Sequence, residues 1–210
     1  MPTPSVPKTI VFVHGLFLNP RSWRGWATFF RARGYRCHTP AYPFHEGEPL
    51  DLRHHPSPGL AWLTFDQVVD SMTFLIDRLP EKPILIGHSM GALVVQKLIA
   101  QGKGCAGVLI NSTPPAGISS LHPGYLWTKF RTTSLFRGNT ICFPSVPWFY
   151  DAFSPALTSA EAAVEFQKVA VPESRNLLRT SSGPQGQIDF LKPHPPPVVP
   201  RGPKGSRSTG

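Results

Sequence analysis

The chain has 210 residues, enough for one domain with a hydrophobic core but too few for two ordinary domains. Its net charge is +9, of which Lys192, Arg201, Lys204 and Arg207 supply four charges in a segment, 191–210, without acidic residues. The remaining basic residues are scattered and do not alternate with aromatic ones, so a nucleic-acid partner is not expected. The three cysteines have neither disulfide nor zinc spacing, and no apolar run reaches the ~20 residues of a membrane-spanning helix.

The N-terminal segment begins with an apolar β-branched run at 8–13, which predicts a strand buried on both faces. The proline-rich residues before this strand are not expected to form a signal peptide, so a cytoplasmic location is expected. A helix is predicted over 20–34, with a proline in its first turn and a glycine at its end. A shorter strand is predicted at 35–40. The helix places four aromatic residues on one face, where we expect them to pack in the core: Trp23, Trp26, Phe29 and Phe30.

The next segment continues this alternation after a proline- and histidine-rich loop at 41–63. A helix with one apolar stripe is predicted over 64–79, followed by a strand at 83–87. A second helix at 90–101 leads to a strand at 106–112. Strands that alternate with helices predict an α/β fold, with a doubly wound and mostly parallel sheet.

The pattern changes after residue 113. Residues 1–113 are predicted to form the core, and 114–185 a helical cap whose clearest helix covers 159–170. Segment 186–210 is rich in proline and arginine and has too few apolar residues to bury much surface. We expect it to be a remnant of the return to the core followed by a disordered tail.

The strongest motif is "GHSMG", in which Gly87 and Gly91 flank Ser89 between an apolar strand and an apolar helix. A sharp turn from strand to helix holds a serine in a strained conformation and exposes its hydroxyl above the sheet. The N–H of Met90 then lies at the helix N-terminus, where it can stabilise negative charge. Such a turn is called a nucleophile elbow. The alternative is a small-residue turn that only packs the helix onto the sheet.

A second motif, "VFVHGLFLNPRSW", ends the first predicted strand at His14 and Gly15. The next backbone N–H is the usual second donor to an oxyanion, which assigns this role to Leu16, with Phe17 as the neighbouring choice. His14 is expected to bond loop backbone rather than to act in catalysis. His88 is expected to point away from the Ser89 hydroxyl.

These segments, together with "GYRCHTPAYPFHEGEP" and "GVLINSTPPAG", resemble the α/β-hydrolase superfamily, in particular its small microbial esterases and lysophospholipase-like members. The resemblance covers residues 8 to about 192. It implies Ser89 as the nucleophile, the N–H groups of Leu16 and Met90 as the oxyanion hole, a lid near 114–185, and no cofactor or metal.

The resemblance also implies an acid and then a histidine, each after a further strand. The sequence offers no apolar runs for the last two core strands, so we expect a truncated core with the strand at 106–112 as an exposed edge. Asp189 and His194 are unlikely substitutes, so the triad acid and base are unknown. Six other candidates have ordinary structural interpretations. Asp151 is expected at the surface of the cap, and Asn111 and Ser112 lie in a loop without a carboxylate. His45, His54 and His55 are expected in a solvated loop.

The sequence therefore predicts a serine hydrolase of carboxylic esters or lipid-like acyl substrates, impaired by the missing acid and base. Its expected partner is a small-molecule ester or acyl compound. Two alternatives remain open: a non-catalytic protein that binds an apolar ligand under the cap, and a non-functional product of a shifted reading frame.

Overall fold

The computed structural model describes residues 7–118, 138–153, 156–189, 191 and 197–198. The strands are β1 Thr9–Val13, β2 Arg36–His38, β3 Ile84–His88, β4 Ala106–Ile110, β5 Ile141–Cys142, β6 Glu173–Ser174 and β7 Pro197–Val198. The helices are α1 Arg24–Arg31, α2 Pro49–His54, α3 Phe65–Ile76, α4 Met90–Ala100, α5 Val146–Phe153, α6 Ser159–Val169 and α7 Arg175–Ser181. Short 3-10 turns lie at Pro20–Trp23, Pro58–Trp62 and Pro184–Gly186.

The main sheet is parallel, with the strand order β2-β1-β3-β4-β7. In register, Phe12 of β1 lies opposite Ile86 of β3, and Ile86 lies opposite Val108 of β4. The carboxyl ends of β1 and β3 therefore meet at one edge, where parallel α/β sheets place their sites. This architecture confirms the predicted α/β fold.

Helices α3 and α4 cover one face of the sheet and contribute most of the main core. The apolar stripe predicted on α3 is buried at Phe65, Val68, Val69, Met72 and Ile76. Thr64 fixes the start of α3, because its hydroxyl accepts the N–H of Gln67 while the Gln67 side chain accepts the N–H of Thr64.

The other face of the sheet carries α1, and here the prediction was partly wrong. Trp23 is buried against Phe12, and Phe30 is half-buried beside it. Trp26 and Phe29 are 47% and 51% exposed, however. The predicted helix begins as a 3-10 turn and becomes α-helical only at Arg24, which changes the angular spacing of the four rings.

The loop predicted at 41–63 also differs, because it contains α2 and a 3-10 turn. Pro49 and Pro58 each lie in the first turn of their element, where a missing N–H costs nothing. The prolines that suggested a loop are in fact helix starts.

The described part of the predicted cap is helical, with one short antiparallel pair, β5–β6. Its last helix, α7, packs against α3, and Leu177 is fully buried in the main core. The Thr180 hydroxyl accepts the N–H of Phe65 at the start of α3. The cap segment is thus attached to the core through α7.

Among the helices that the structure describes, none combines the length and the apolar composition that a membrane span requires.

The proline-rich tail differs from the expectation at two residues. Pro197–Val198 pairs in parallel with Gly107 and Val108, so β4 is covered over part of its edge. Valine favours extended backbone, and proline is tolerated as the first residue of an edge strand. The triad candidate His194 lies outside the described residues.

Candidate functional site

Ser89 occupies the turn between β3 and α4 and has a left-handed backbone, with φ 54° and ψ −118°. Its N–H donates to the carbonyl of Ile110 at 2.9 Å, and its carbonyl accepts the N–H of Thr113 at 3.1 Å. A non-glycine residue in this region is strained, and such strain is a feature of functional turns. The hydrogen bonds with Ile110 and Thr113 hold the serine in place despite that strain.

The flanking glycines are required by close backbone packing. A Cβ on Gly87 would lie 2.3 Å from the carbonyl oxygen of Gly91, and one on Gly91 would lie 2.2 Å from that of Val13. Because both obstacles are main-chain atoms, no side-chain rotation relieves them. These contacts bring the turn at Ser89 directly against the end of β1.

The loop after β1 also packs against the turn, since a Cβ on Gly15 would lie 3.3 Å from the Ser89 Cβ. Within the described part of the chain, the N–H groups of Leu16 and Met90 have no hydrogen-bond acceptor. The N–H of Phe17, the neighbouring choice, instead donates to Glu173 Oε2 at 3.3 Å. Of the two loop donors considered from the sequence, Leu16 is the one that remains unpaired.

His14 is fully buried and bonds the backbone of its surroundings. Its Nδ1 lies 2.9 Å from the Gly15 carbonyl, and its Nε2 accepts the N–H of Tyr42 at 3.2 Å. The Tyr42 hydroxyl donates to the His14 carbonyl at 2.5 Å. Burial, and then the proximity of His45, lower the pKa of His14 to about 3. Because the neutral ring of His14 makes these bonds, it orders the loop that follows β1.

His88 precedes the serine and is partly buried, which lowers its pKa. It lines a cavity of about 640 Å³ that also touches Gly15 and Ile110, next to the turn at Ser89. Aromatic residues from both the core and the cap form part of the wall: Trp23, Trp26, Phe149 and Phe153. This volume lies within the ~300–1,000 Å³ that is usual for small-molecule sites.

His45 was expected in a solvated loop, and this was wrong. Both His45 and Glu173 have fully buried side chains, with His45 Nε2 3.3 Å from Glu173 Oε2. Burial opposes charging of His45, but the Glu173 carboxylate outweighs it and raises the pKa of the imidazole. The sequence offered one signal that was missed: a carboxylate in the otherwise apolar run "VAVPES" must be paired if it is buried.

Among the described residues, neither triad partner is hydrogen-bonded to Ser89. Its hydroxyl has no hydrogen bond to an imidazole among the residues that the structure describes. Asp189 is exposed and accepts the N–H of Leu191 at 3.0 Å, and Ser112 bonds Gln96 and the Thr113 carbonyl. The described ranges also contain no group of three or more residues able to hold a metal ion.

A family model described as alpha/beta hydrolase family matches residues 10–204. Comparison with the curated proteins gave no significant match.

Several solved structures are similar to this chain. An extracellular alpha/beta-hydrolase from a Paenibacillus species, described as sharing structural and functional homology with tobacco salicylic acid binding protein 2, is 25% identical with a TM-score of 0.63. The match covers 81% of this chain and 69% of that one. Tomato methylketone synthase I in complex with 2-tridecanone is 16% identical, with a TM-score of 0.62 and coverages of 90% and 75%. Polyneuridine aldehyde esterase is 14% identical, with a TM-score of 0.63 and coverages of 89% and 76%. The last two support the fold alone.

Proposed function

Since the chain belongs to the alpha/beta hydrolase family, we propose that it is a serine hydrolase of carboxylic esters with Ser89 as its nucleophile. The observation that carries the proposal is the strained backbone of Ser89 at the start of α4, beside two unpaired N–H groups. A binding turn alone does not require such strain, whereas an exposed nucleophile does.

In the proposed reaction the Ser89 oxygen attacks the ester carbonyl and its proton passes to water, which also supplies the proton of the leaving alcohol. The N–H groups of Leu16 and Met90 then bind the developing oxyanion. The alcohol leaves with a proton, and water hydrolyses the resulting acyl-enzyme to release the acid and restore Ser89. The cavity lined by Gly15, His88 and Ile110 would hold the acyl group.

We further propose that this reaction is slow. No imidazole hydrogen-bonds the Ser89 hydroxyl within the described residues, and a serine without its base keeps only the catalysis that binding and the oxyanion hole supply. Such losses amount to about 10⁴–10⁶ in kcat.

The test is hydrolysis of a p-nitrophenyl ester together with mass spectrometry of the acyl-enzyme. Ser89→Ala is expected to abolish both the residual turnover and the acyl adduct. Ser71→Ala is the matched control, because Ser71 lies on α3 and its hydroxyl donates to its own helix at Val68. Equal turnover by wild type and Ser89→Ala would contradict the proposal.

A second candidate function, binding of an apolar ligand without chemistry, is favoured by the aromatic wall of the same cavity. A medium-chain methyl ester is the probe, and quenching of tryptophan fluorescence reports its binding, because Trp23 and Trp26 line the cavity. This function predicts the same dissociation constant for wild type and Ser89→Ala and no acyl adduct on either.

A further inference from the structure

The loop that carries Leu16 is held by a segment far away in the sequence. Phe17 has a left-handed backbone, with φ 61°. Its N–H donates to Glu173 Oε2 at 3.3 Å, and its carbonyl accepts the N–H of Val171 at 2.9 Å. Leu18 forms an isolated antiparallel bridge with Ala170. Residues 170–173 thus bond the loop at successive positions.

Two hydrogen bonds determine how Leu16 is oriented. Its N–H belongs to the same planar peptide unit as the Gly15 carbonyl, which lies 2.9 Å from His14 Nδ1. Its carbonyl belongs to the next unit, whose N–H, that of Phe17, donates to Glu173. Fixing both planes fixes the direction of the Leu16 N–H, which itself has no acceptor among the described residues.

The carboxylate of Glu173 is in turn fixed from two sides. Glu173 Oε1 accepts the N–H of Ser174 at 2.8 Å, and Glu173 Oε2 lies 3.3 Å from His45 Nε2. His45 Nδ1 lies 3.1 Å from the carbonyl of Pro43. Nδ1 thus has a hydrogen-bond partner, whereas the contact of Nε2 with Glu173 is an ion-pair contact that lacks hydrogen-bond geometry.

We propose that Glu173, held by His45, is a positioning residue that keeps the N–H of Leu16 directed at the carbonyl oxygen of the substrate. The catalytic part of this inference rests on the proposed function, while the effect on the loop does not. Glu173 is not a catalytic residue, because its side chain is fully buried and its oxygens are occupied by Phe17, Ser174 and His45.

Two substitutions of similar volume separate the acceptor from the charge. Glu173→Gln can keep an oxygen at the position of Oε2, which still faces the N–H of Phe17 and His45 Nε2, while its NH2 group replaces Oε1 and loses the bond from Ser174. Glu173→Met keeps the length of the side chain but has no strong acceptor. Asp77→Asn is the control, since Asp77 is an exposed carboxylate paired with Lys103 on the surface.

The first measurement is amide hydrogen exchange at Phe17, which does not depend on any reaction. We expect Glu173→Met to raise this exchange rate at least tenfold, with the amides of α4 unchanged. Glu173→Gln and Asp77→Asn should stay within threefold of wild type. Wild-type exchange in Glu173→Met, or equal increases in the Met and Gln variants, would overturn the proposal. If Glu173→Met does not fold, the exchange rate of the Phe17 amide in Glu173→Gln is the deciding measurement. A rise of that rate beyond threefold would overturn the proposal.

The second measurement is phosphonylation of Ser89 by an alkyl fluorophosphonate, in which the serine oxygen bonds phosphorus, fluoride leaves and the proton goes to solvent. We expect Glu173→Met to lower the maximal rate at least tenfold with an unchanged half-saturation concentration, since oxyanion donors act in the transition state. A rise in half-saturation concentration alone would overturn the catalytic part. If wild type does not react, the proposed function fails, and the exchange result still decides the effect on the loop.

Discussion

At the scale of single residues, the site depends on Gly87 and Gly91, where the packed backbone leaves no room for a side chain. The strain at Ser89, of the order of 1–3 kcal/mol, persists because the adjacent backbone is packed too closely to relax. Gly87 and Gly91 make that packing possible, and neither contributes any chemistry of its own.

Gly91→Ala is expected to lower the free energy of unfolding by about 1–3 kcal/mol, because the new Cβ would meet the carbonyl oxygens of Val13 and His14. Urea denaturation measures the loss. Gly25→Ala is the matched control, because nothing lies within 4 Å of its added Cβ and alanine favours the helix. Equal unfolding midpoints for Gly91→Ala and wild type would show that the backbone at this turn can move.

Stability is expected to fall as the pH falls from about 6.5 towards 4, and His14 is one cause. Its folded pKa of about 3 lies below the unfolded value, so between them the unfolded chain binds the proton more readily. The slope from this residue is at most about 1.4 kcal/mol per pH unit. His45 has the opposite sign: its pKa is raised, so its contribution is complete below the unfolded pKa and is lost only as the pH rises above it.

Urea denaturation at several pH values between about 4 and 6 tests this prediction, with His14→Gln expected to show a shallower slope than wild type. The carboxylates that raise the pKa of His45 are those of Glu173 and Glu46, and both are present in wild type and in His14→Gln. An unchanged slope in His14→Gln would contradict the assignment.

The sequence allowed prediction of where Ser89 lies in the fold, because that position follows from local pattern. Ser89 lies between a strand and a helix, and both neighbours can be identified from their apolar runs. Glu173 and His45 could not be predicted in this way, because their pairing depends on a contact between segments far apart in the chain. One buried charge predicts that a partner exists, but gives no indication which histidine it is.

At the scale of elements, α3 shows how a local signal sets a boundary. Thr64→Ala is expected to lower the free energy of unfolding by about 1 kcal/mol, because the hydroxyl that accepts the N–H of Gln67 is removed. Thermal and urea unfolding measure the change. The control is Thr28→Ala, an exposed threonine within α1, which should show no loss. If both variants lose the same amount, the cap at Thr64 contributes nothing specific.

Element type was more predictable than element length. Helix α3 and strands β1, β3 and β4 formed as predicted because each buries a continuous or periodic apolar surface. Helix α2 was not predicted because it has six residues and begins at Pro49, and proline is also common in turns. A helix of fewer than two turns leaves almost no periodicity to detect.

At the scale of the whole molecule, the edge of the sheet beside β4 is weakly protected. Within the described residues, β7 pairs with β4 at Gly107 and Val108 alone, and unpaired strand edges promote association between molecules. A variant that ends at residue 191 is expected to self-associate more than one that ends at 199, which keeps Pro197–Val198. Light scattering after size-exclusion chromatography measures the difference, and identical masses for the two variants would contradict it.

The bond between Phe17 and Glu173 joins residues that are 156 positions apart. During synthesis the first strand leaves the ribosome long before Glu173 exists, so a nascent chain cannot yet stabilise the conformation of this loop by that bond. The early part of the fold can therefore assemble while the N–H of Phe17 still lacks this acceptor. The order of translation thus leaves the loop beside Ser89 held by its local bonds alone until nearly the whole described chain has been made.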